Sequence, residues 1–205
     1  MSDYTIWPLF SSVVLSTIIT ENIDKEIQQI IDTENFVPTN NSPNTFISDN
    51  YRVLDKYKNI REIIKDIFYD FKDNTLEYRD TDFDIITSWV TKTTRDGTSS
   101  MHCHKNSFYS GVLYFDEIEN GAPIEFSNQN LSNSFMLNTA SNYNIFNSEI
   151  WRVYPRKNEV IFFPSHLYHR VYNHQSDTTR YSLAFNILPV GMIGEADSRI
   201  LFTAR

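Results

Sequence analysis

The 205-residue chain has a single cysteine, Cys103, so no disulfide can close within it and a reducing compartment suits it. It also lacks long apolar runs. No stretch approaches the ~20 apolar residues that span a bilayer. Residues 1–10 carry neither a basic segment nor an uninterrupted apolar one, which argues against a secretory leader. A soluble, cytoplasmic protein is therefore expected. Positive charge is scarce as well: 18 Lys and Arg stand against 26 Asp and Glu, for a net charge of −8 and a pI near 5.1. The basic residues fall as singles or pairs rather than a stripe, so a polyanion would be repelled and nucleic acid is set aside as a partner. Lys56, Lys58, Arg61 and Lys65 are expected on the solvated face of a helix. No repeat of 20–50 residues and no linker are visible, so residues 1–205 are expected to form one domain.

Apolar side chains are plentiful. Hydrophobic residues make up 40% of the chain and aromatics 15%, with 15 Phe and 12 Tyr, enough to fill a barrel. Helical periodicity is confined to the first third. Ile23, Ile27, Ile30 and Ile31 predict one amphipathic helix, with Thr20 and Asn22 as candidate caps. Leu54, Tyr57, Ile60, Ile63, Ile64, Ile67, Phe68 and Phe71 predict a longer one. Residues 36–50 between them are rich in Asn, Pro, Ser and Thr and are expected to be a mobile loop.

From Phe83 onward the period changes to two. Strands are expected near 83–93, 107–116, 122–127, 150–154, 159–163, 167–173 and 180–188. Asn158 suits a left-handed turn position where glycine is more usual. The Asn- and Ser-rich segment 128–148 is expected to be a surface loop or lid. The expectation is a mainly β protein: an antiparallel jelly-roll barrel over residues 81–190, braced by two helices within 1–80. Residues 191–205 form a C-terminal extension, read either as a dimer arm or as a loose tail, and no oligomeric state follows.

Four of the five histidines fall in two short segments, 101–104 and 165–169. If residues 102–104 enter a strand, its period of two puts His102 and His104 on one face and Cys103 on the other. His169 from a neighbouring strand then completes a triad that leaves coordination positions open, as oxygen-activating iron requires. His166, at a turn, is read as an exposed loop histidine and His174 as a surface residue. Cys103 is read as a packed small hydrophobe. Phe108, Tyr109, Trp89, Trp151 and Tyr154 are assigned to barrel packing.

The ordered blocks His102-Cys103-His104, 110–115, 160–165 with His169, and 180–186 resemble the 2-oxoglutarate and iron(II)-dependent oxygenases of marine bacteria and their phages. The likeness covers roughly residues 85–190. It implies a double-stranded β-helix fold, with iron(II), 2-oxoglutarate and dioxygen as the reacting set, and a hydroxylase as the activity. It implies His102, His104 and His169 as metal ligands, and Arg180, eleven residues after His169, as the anchor for the far carboxylate of 2-oxoglutarate. A guanidinium is permanently charged and forked, so it suits a dicarboxylate, with Ser182 on the same strand face and the Tyr114 phenol as further donors. This sequence departs from the family where His104 stands in the usual carboxylate position. His104 then either binds the metal or supports the ligands from outside while Asp116 or Glu125 moves in.

Three other functions compete. A three-histidine cupin dioxygenase would use no 2-oxoglutarate and gives Arg180 no reason. A jelly-roll binding module without enzymatic activity would keep its histidines satisfied in the core. A nucleic-acid demethylase of the same superfamily carries a second arginine where Asn186 stands here. A protein, peptide or small-molecule substrate is the expectation.

Overall fold

The computed structural model describes residues 5–40, 42–128 and 142–203. In chain order the elements are β1 (Leu15–Ile18), α1 (Asp24–Thr33), β2 (Phe36–Pro38), β3 (Thr45–Ser48), α2 (Lys58–Asn74), β4 (Asp82–Thr93), β5 (Tyr109–Tyr114), β6 (Ile124–Ser127), β7 (Ile150–Val153), β8 (Glu159–Pro164), β9 (Tyr168–Val171), β10 (Arg180–Ile193) and β11 (Ile200–Phe202). The larger sheet runs β1-β8-β5-β10-β4-β3-β2, with β11 paired to the far end of β10; the smaller runs β7-β6-β9. All paired strands are antiparallel.

The helices form where the periodicity places them. The Asn22 side chain accepts the Asp24 N–H at 3.2 Å, and Asp24 and Glu26 put negative charge at the positive end of α1. Ile27 and Ile30 of α1, and Ile60, Ile64, Phe68 and Phe71 of α2, face one core with Phe83, Tyr109, Leu113, Phe162, Leu183 and Phe185 of the larger sheet. Phe68 is its hub, with ring centroids 5.4–6.3 Å from Phe71, Phe83, Tyr109 and Phe162. Leu54 lies in a short 3-10 turn, Val53–Asp55, ahead of α2. Among the described residues, no helix is long and apolar enough to cross a membrane.

The other face of the larger sheet meets the smaller one. Tyr114, Ile161 and Phe163 pack there against Ile124 and Phe126. This two-sheet sandwich is the arrangement the alternating pattern from Phe83 leads to.

Several expectations need correction. Residues 36–50 contain the hairpin β2–β3, whose Thr45, Phe46 and Ile47 pair with Thr93, Lys92 and Thr91 of β4, so this segment extends the sheet. Residues 191–203 include a second hairpin: Gly191, Met192 and Ile193 pair with Phe202, Leu201 and Ile200. Through residue 203 the tail is thus paired to β10 rather than loose. Arg61 is only 8% exposed, because Asp84 at the start of β4 accepts its guanidinium at 2.7 Å and the Ile85 carbonyl accepts at 3.0 Å. Of segment 128–148, residues 129–141 lie outside the described residues. Asn158 has φ 57°, as its turn position requires.

Candidate metal and co-substrate site

Residues 101–104 do not enter a regular strand. His102 makes an isolated antiparallel bridge with His169, each donating its N–H to the other's carbonyl at 3.0 and 2.9 Å. Two residues on, the His104 N–H donates to the Ser165 carbonyl at 2.9 Å. These bonds hold the segment extended against the β8–β9 turn, so the alternation expected of a strand still brings the rings of His102 and His104 together. The ring centroids lie 5.2 Å apart for His102–His104, 4.4 Å for His102–His169 and 5.1 Å for His104–His169. One nitrogen from each ring falls within 4.8 Å of the others.

The ring hydrogen bonds orient the lone pairs. His102 Nδ1 sits 2.8 Å from the Ser100 carbonyl and His169 Nδ1 2.9 Å from the Leu167 carbonyl. A carbonyl only accepts, so both Nδ1 atoms carry a proton, which leaves Nε2 of each ring, when neutral, as the nitrogen for a metal. Burial, reinforced by His102, pulls His104 down to about 4. His169 falls to about 3, through burial and then His102, against the raising effect of its bond to Leu167. Neutral imidazoles with free lone pairs are what a divalent transition metal binds. The donor set fits such an ion, although three neutral nitrogens leave it more positive than two histidines and a carboxylate do.

Register places the remaining candidates. Arg180, Ser182, Ala184 and Asn186 alternate along the inner face of β10. Ser182 is paired with Tyr114 of β5 and Thr91 of β4, and Ala184 with Val112 and Trp89. Arg180 is 2% exposed; its Nη1 donates to the Ala122 carbonyl at 2.6 Å, and its carbon lies 5.6 Å over the Tyr114 ring. Its Nε is buried with no partner among the described residues. Such a donor costs ~1–3 kcal/mol unless an acceptor arrives, so a carboxylate in this space fits it. Ser182 is buried, and burial pushes the Tyr114 phenol up to about 12, against Arg180, so it stays a neutral donor. Tyr114 packs with Phe163, whose ring centroid is 4.6 Å from that of His169. The arginine end and the histidine end therefore share one apolar floor.

Neither carboxylate suggested as a substitute ligand joins the triad. Glu125 points to the outer face of the smaller sheet, where Arg152 and Arg170 hold it at 2.7 and 2.6 Å. Asp116 is exposed and lines a surface groove with Glu117, Glu119 and Asp177. His166 is exposed as expected. His174 is not: it is fully buried, contrary to the surface position read from its polar neighbours Asn173 and Gln175. Phe108 and Tyr109 belong to the helix-side core. Tyr154 is exposed rather than packed. Trp151 pairs with Phe126, which also pairs with His169, so all three share the inner face. With 48% of its surface exposed, Trp151 stands at the mouth of the site. Trp89 stands opposite, 5.7 Å from His104, with Tyr51 6.4 Å beyond it.

Sequence reasoning missed a polar ladder beside the histidines. Ser107, Ser165, Ser110 and Asn186 are linked by side-chain bonds of 2.7–2.8 Å, and Asn186 donates to Thr87 at 3.0 Å. The alternation Ser110, Val112, Tyr114 was the signal that could have found it.

A family profile described as "Putative 2OG-Fe(II) oxygenase" matches residues 87–186, the stretch that holds the triad and Arg180. No curated protein matches the chain. Among solved structures, a 2OG-Fe(II) oxygenase family oxidoreductase from Burkholderia pseudomallei is 13% identical with a TM-score of 0.61, covering 86% of this chain and 83% of its own. HygX from Streptomyces hygroscopicus, solved with nickel, 2-oxoglutarate and hygromycin B, is 11% identical with a TM-score of 0.60, covering 87% and 82%. A Trichoplax adhaerens prolyl hydroxylase in complex with a hypoxia inducible factor peptide is 12% identical with a TM-score of 0.58, covering 86% and 83%. At these identities the likeness carries the fold, a double-stranded β-helix braced by two helices. Over residues 87–186, just under half of its length, the chain is similar to the 2-oxoglutarate and iron(II)-dependent oxygenases.

Proposed function

We propose that this chain is a 2-oxoglutarate-dependent iron(II) oxygenase acting as a hydroxylase, and that His102, His104 and His169 hold its iron(II) while Arg180, Ser182 and Tyr114 hold 2-oxoglutarate. The observation that carries the reading is the pairing of three convergent imidazoles with a buried arginine whose Nε has no partner among the described residues, across one apolar floor. Bound iron(II) would supply dioxygen activation, so that 2-oxoglutarate, dioxygen and substrate C–H become succinate, carbon dioxide and substrate C–OH. The chain's own groups bind and orient. Arg180 offers a fixed cation to the far carboxylate, Ser182 and Tyr114 offer hydroxyl donors, and Phe163, Phe126 and Ile161 keep water from the floor. A protein, peptide or small-molecule substrate enters between Trp89 and Trp151. The net charge of −8 opposes a nucleic acid.

The test is anaerobic binding. Purified protein takes up about one iron(II), and His102→Ala and His169→Ala abolish uptake, because losing a ligand exceeds the 10–100-fold cost of losing a supporting contact. Arg180→Ala leaves iron in place and weakens 2-oxoglutarate by ~3–5 kcal/mol, more than a hundredfold. Arg180→Lys recovers part of the loss, because the fork is gone. Iron binding without 2-oxoglutarate binding or succinate release in wild type would replace this reading with a three-histidine dioxygenase, the alternative that His104 favours. Absence of iron binding would leave a non-enzymatic module.

A further inference from the structure

We propose that His174 is a positioning residue for the co-substrate: it pins Ala122, whose carbonyl aims the Arg180 guanidinium. The inference rests on the proposed role of Arg180. His174 is fully buried yet lies outside the triad, and both ring nitrogens are engaged. Nε2 sits 2.7 Å from the Thr178 carbonyl and therefore carries the proton. Nδ1 is left as an acceptor, and the Ala122 N–H donates to it at 3.3 Å. The backbone of His174 is itself clamped, donating to the Gly97 carbonyl at 3.0 Å and accepting from the Asp96 N–H at 2.7 Å.

Ala122 needs such a pin because of where it stands. The preceding residues Asp116, Glu117, Glu119 and Asn120 are exposed, Gly121 adds backbone freedom, and β6 begins only at Ile124. Ala122 is the point at which this loop enters the core, fully buried. Its carbonyl receives Arg180 Nη1 at 2.6 Å, a hydrogen bond that fixes a guanidinium whose Nε has no partner among the described residues. The relay thus runs from Thr178 through the His174 ring and the Ala122 backbone to Arg180. A ring oriented through a neighbour's hydrogen bond is how supporting residues set the aim of a binding group. Its effect falls on the far carboxylate of 2-oxoglutarate alone, because the keto acid end belongs to the metal.

That selectivity makes the test. Anaerobic titrations of iron(II)-loaded protein compare 2-oxoglutarate with 2-oxobutyrate, a keto acid without the far carboxylate. His174→Leu removes both ring bonds and should raise the 2-oxoglutarate Kd about tenfold, with iron(II) affinity and 2-oxobutyrate Kd unchanged. His174→Asn, which keeps an acceptor for the Ala122 N–H, should rescue binding. An unchanged 2-oxoglutarate Kd in His174→Leu, or equal weakening of both keto acids, overturns the proposal. If His174→Leu does not fold, the decision passes to wild type. There, amide exchange at Ala122 should slow on adding 2-oxoglutarate and not on adding 2-oxobutyrate, and equal effects overturn it. Failure of wild type to bind 2-oxoglutarate would instead remove the role given to Arg180.

Discussion

A third imidazole in place of a carboxylate changes the charge of the site by one unit. Two histidines and an acid reduce a divalent ion to a net single positive charge, whereas three neutral histidines leave it at two. The ring of His104 also has a neighbour that an acid would not share, Trp89 at 5.7 Å. If His104 is a ligand, His104→Asp retains iron and 2-oxoglutarate turnover, while His104→Ala weakens iron more than ~10–100-fold. Equal iron affinity in wild type and His104→Ala, measured by anaerobic titration, would remove it from the ligand set. At this scale the convergence of His102, His104 and His169 was legible from their spacing, and Arg180 was singled out by the family resemblance. The sequence was illegible for His174, whose polar neighbours look solvated and whose burial depends on Thr178, Ala122 and Gly97, contacts made by folding.

Single strands carry constraints of their own. Gly111 in β5 lies between Phe162 and Phe185, its partners in the flanking strands. A Cβ there would sit 2.3 Å from the Phe185 ring and 3.0 Å from the Ile161 carbonyl. Phe185 is fully buried and edge-packed on Phe162 at 5.5 Å, so it has little room to move. Gly111→Ala is expected to cost ~1–3 kcal/mol by urea denaturation through overpacking. The 2-oxoglutarate affinity of the folded variant should stay unchanged, because Gly111 is on the helix-side face. A weakened co-substrate at full stability would contradict that placement. The longer strands were readable because several cycles of period two show through β4, β5 and β10. The pairs β2–β3 and β10–β11 were not. Strands of three or four residues hold too few alternations, and β3 owes its place to register with β4 rather than to its own pattern.

The whole molecule has a large core under the helices and a smaller one under the site, and the smaller sheet depends on the second. β6, β7 and β9 meet the rest of the chain through the Tyr114, Ile124, Phe126, Ile161 and Phe163 cluster, through the bridge between His102 and His169, and through hydrogen bonds of Val171 with Thr98 and Ser99. A metal on the triad would add a further tie, because His169 belongs to the smaller sheet while His104 is bonded to Ser165 at the end of β8. The triad is assembled only by folding, so the ion binds the native state in preference to the unfolded chain. At a hundredfold excess over Kd such binding contributes ~2.7 kcal/mol. For a chain of this size, each kcal/mol moves the Tm by ~2–4 °C, which gives a rise of about 5–11 °C. Thermal unfolding followed against iron(II) under anaerobic conditions, or against nickel in air, should display that rise. 2-Oxoglutarate should add to it only when metal is present. His169→Ala should erase the metal-dependent part, because it removes both a donor and the link to β9. A variant lacking all three histidines that still gains the same Tm with metal would place the ion elsewhere and detach the stability of the smaller sheet from the triad.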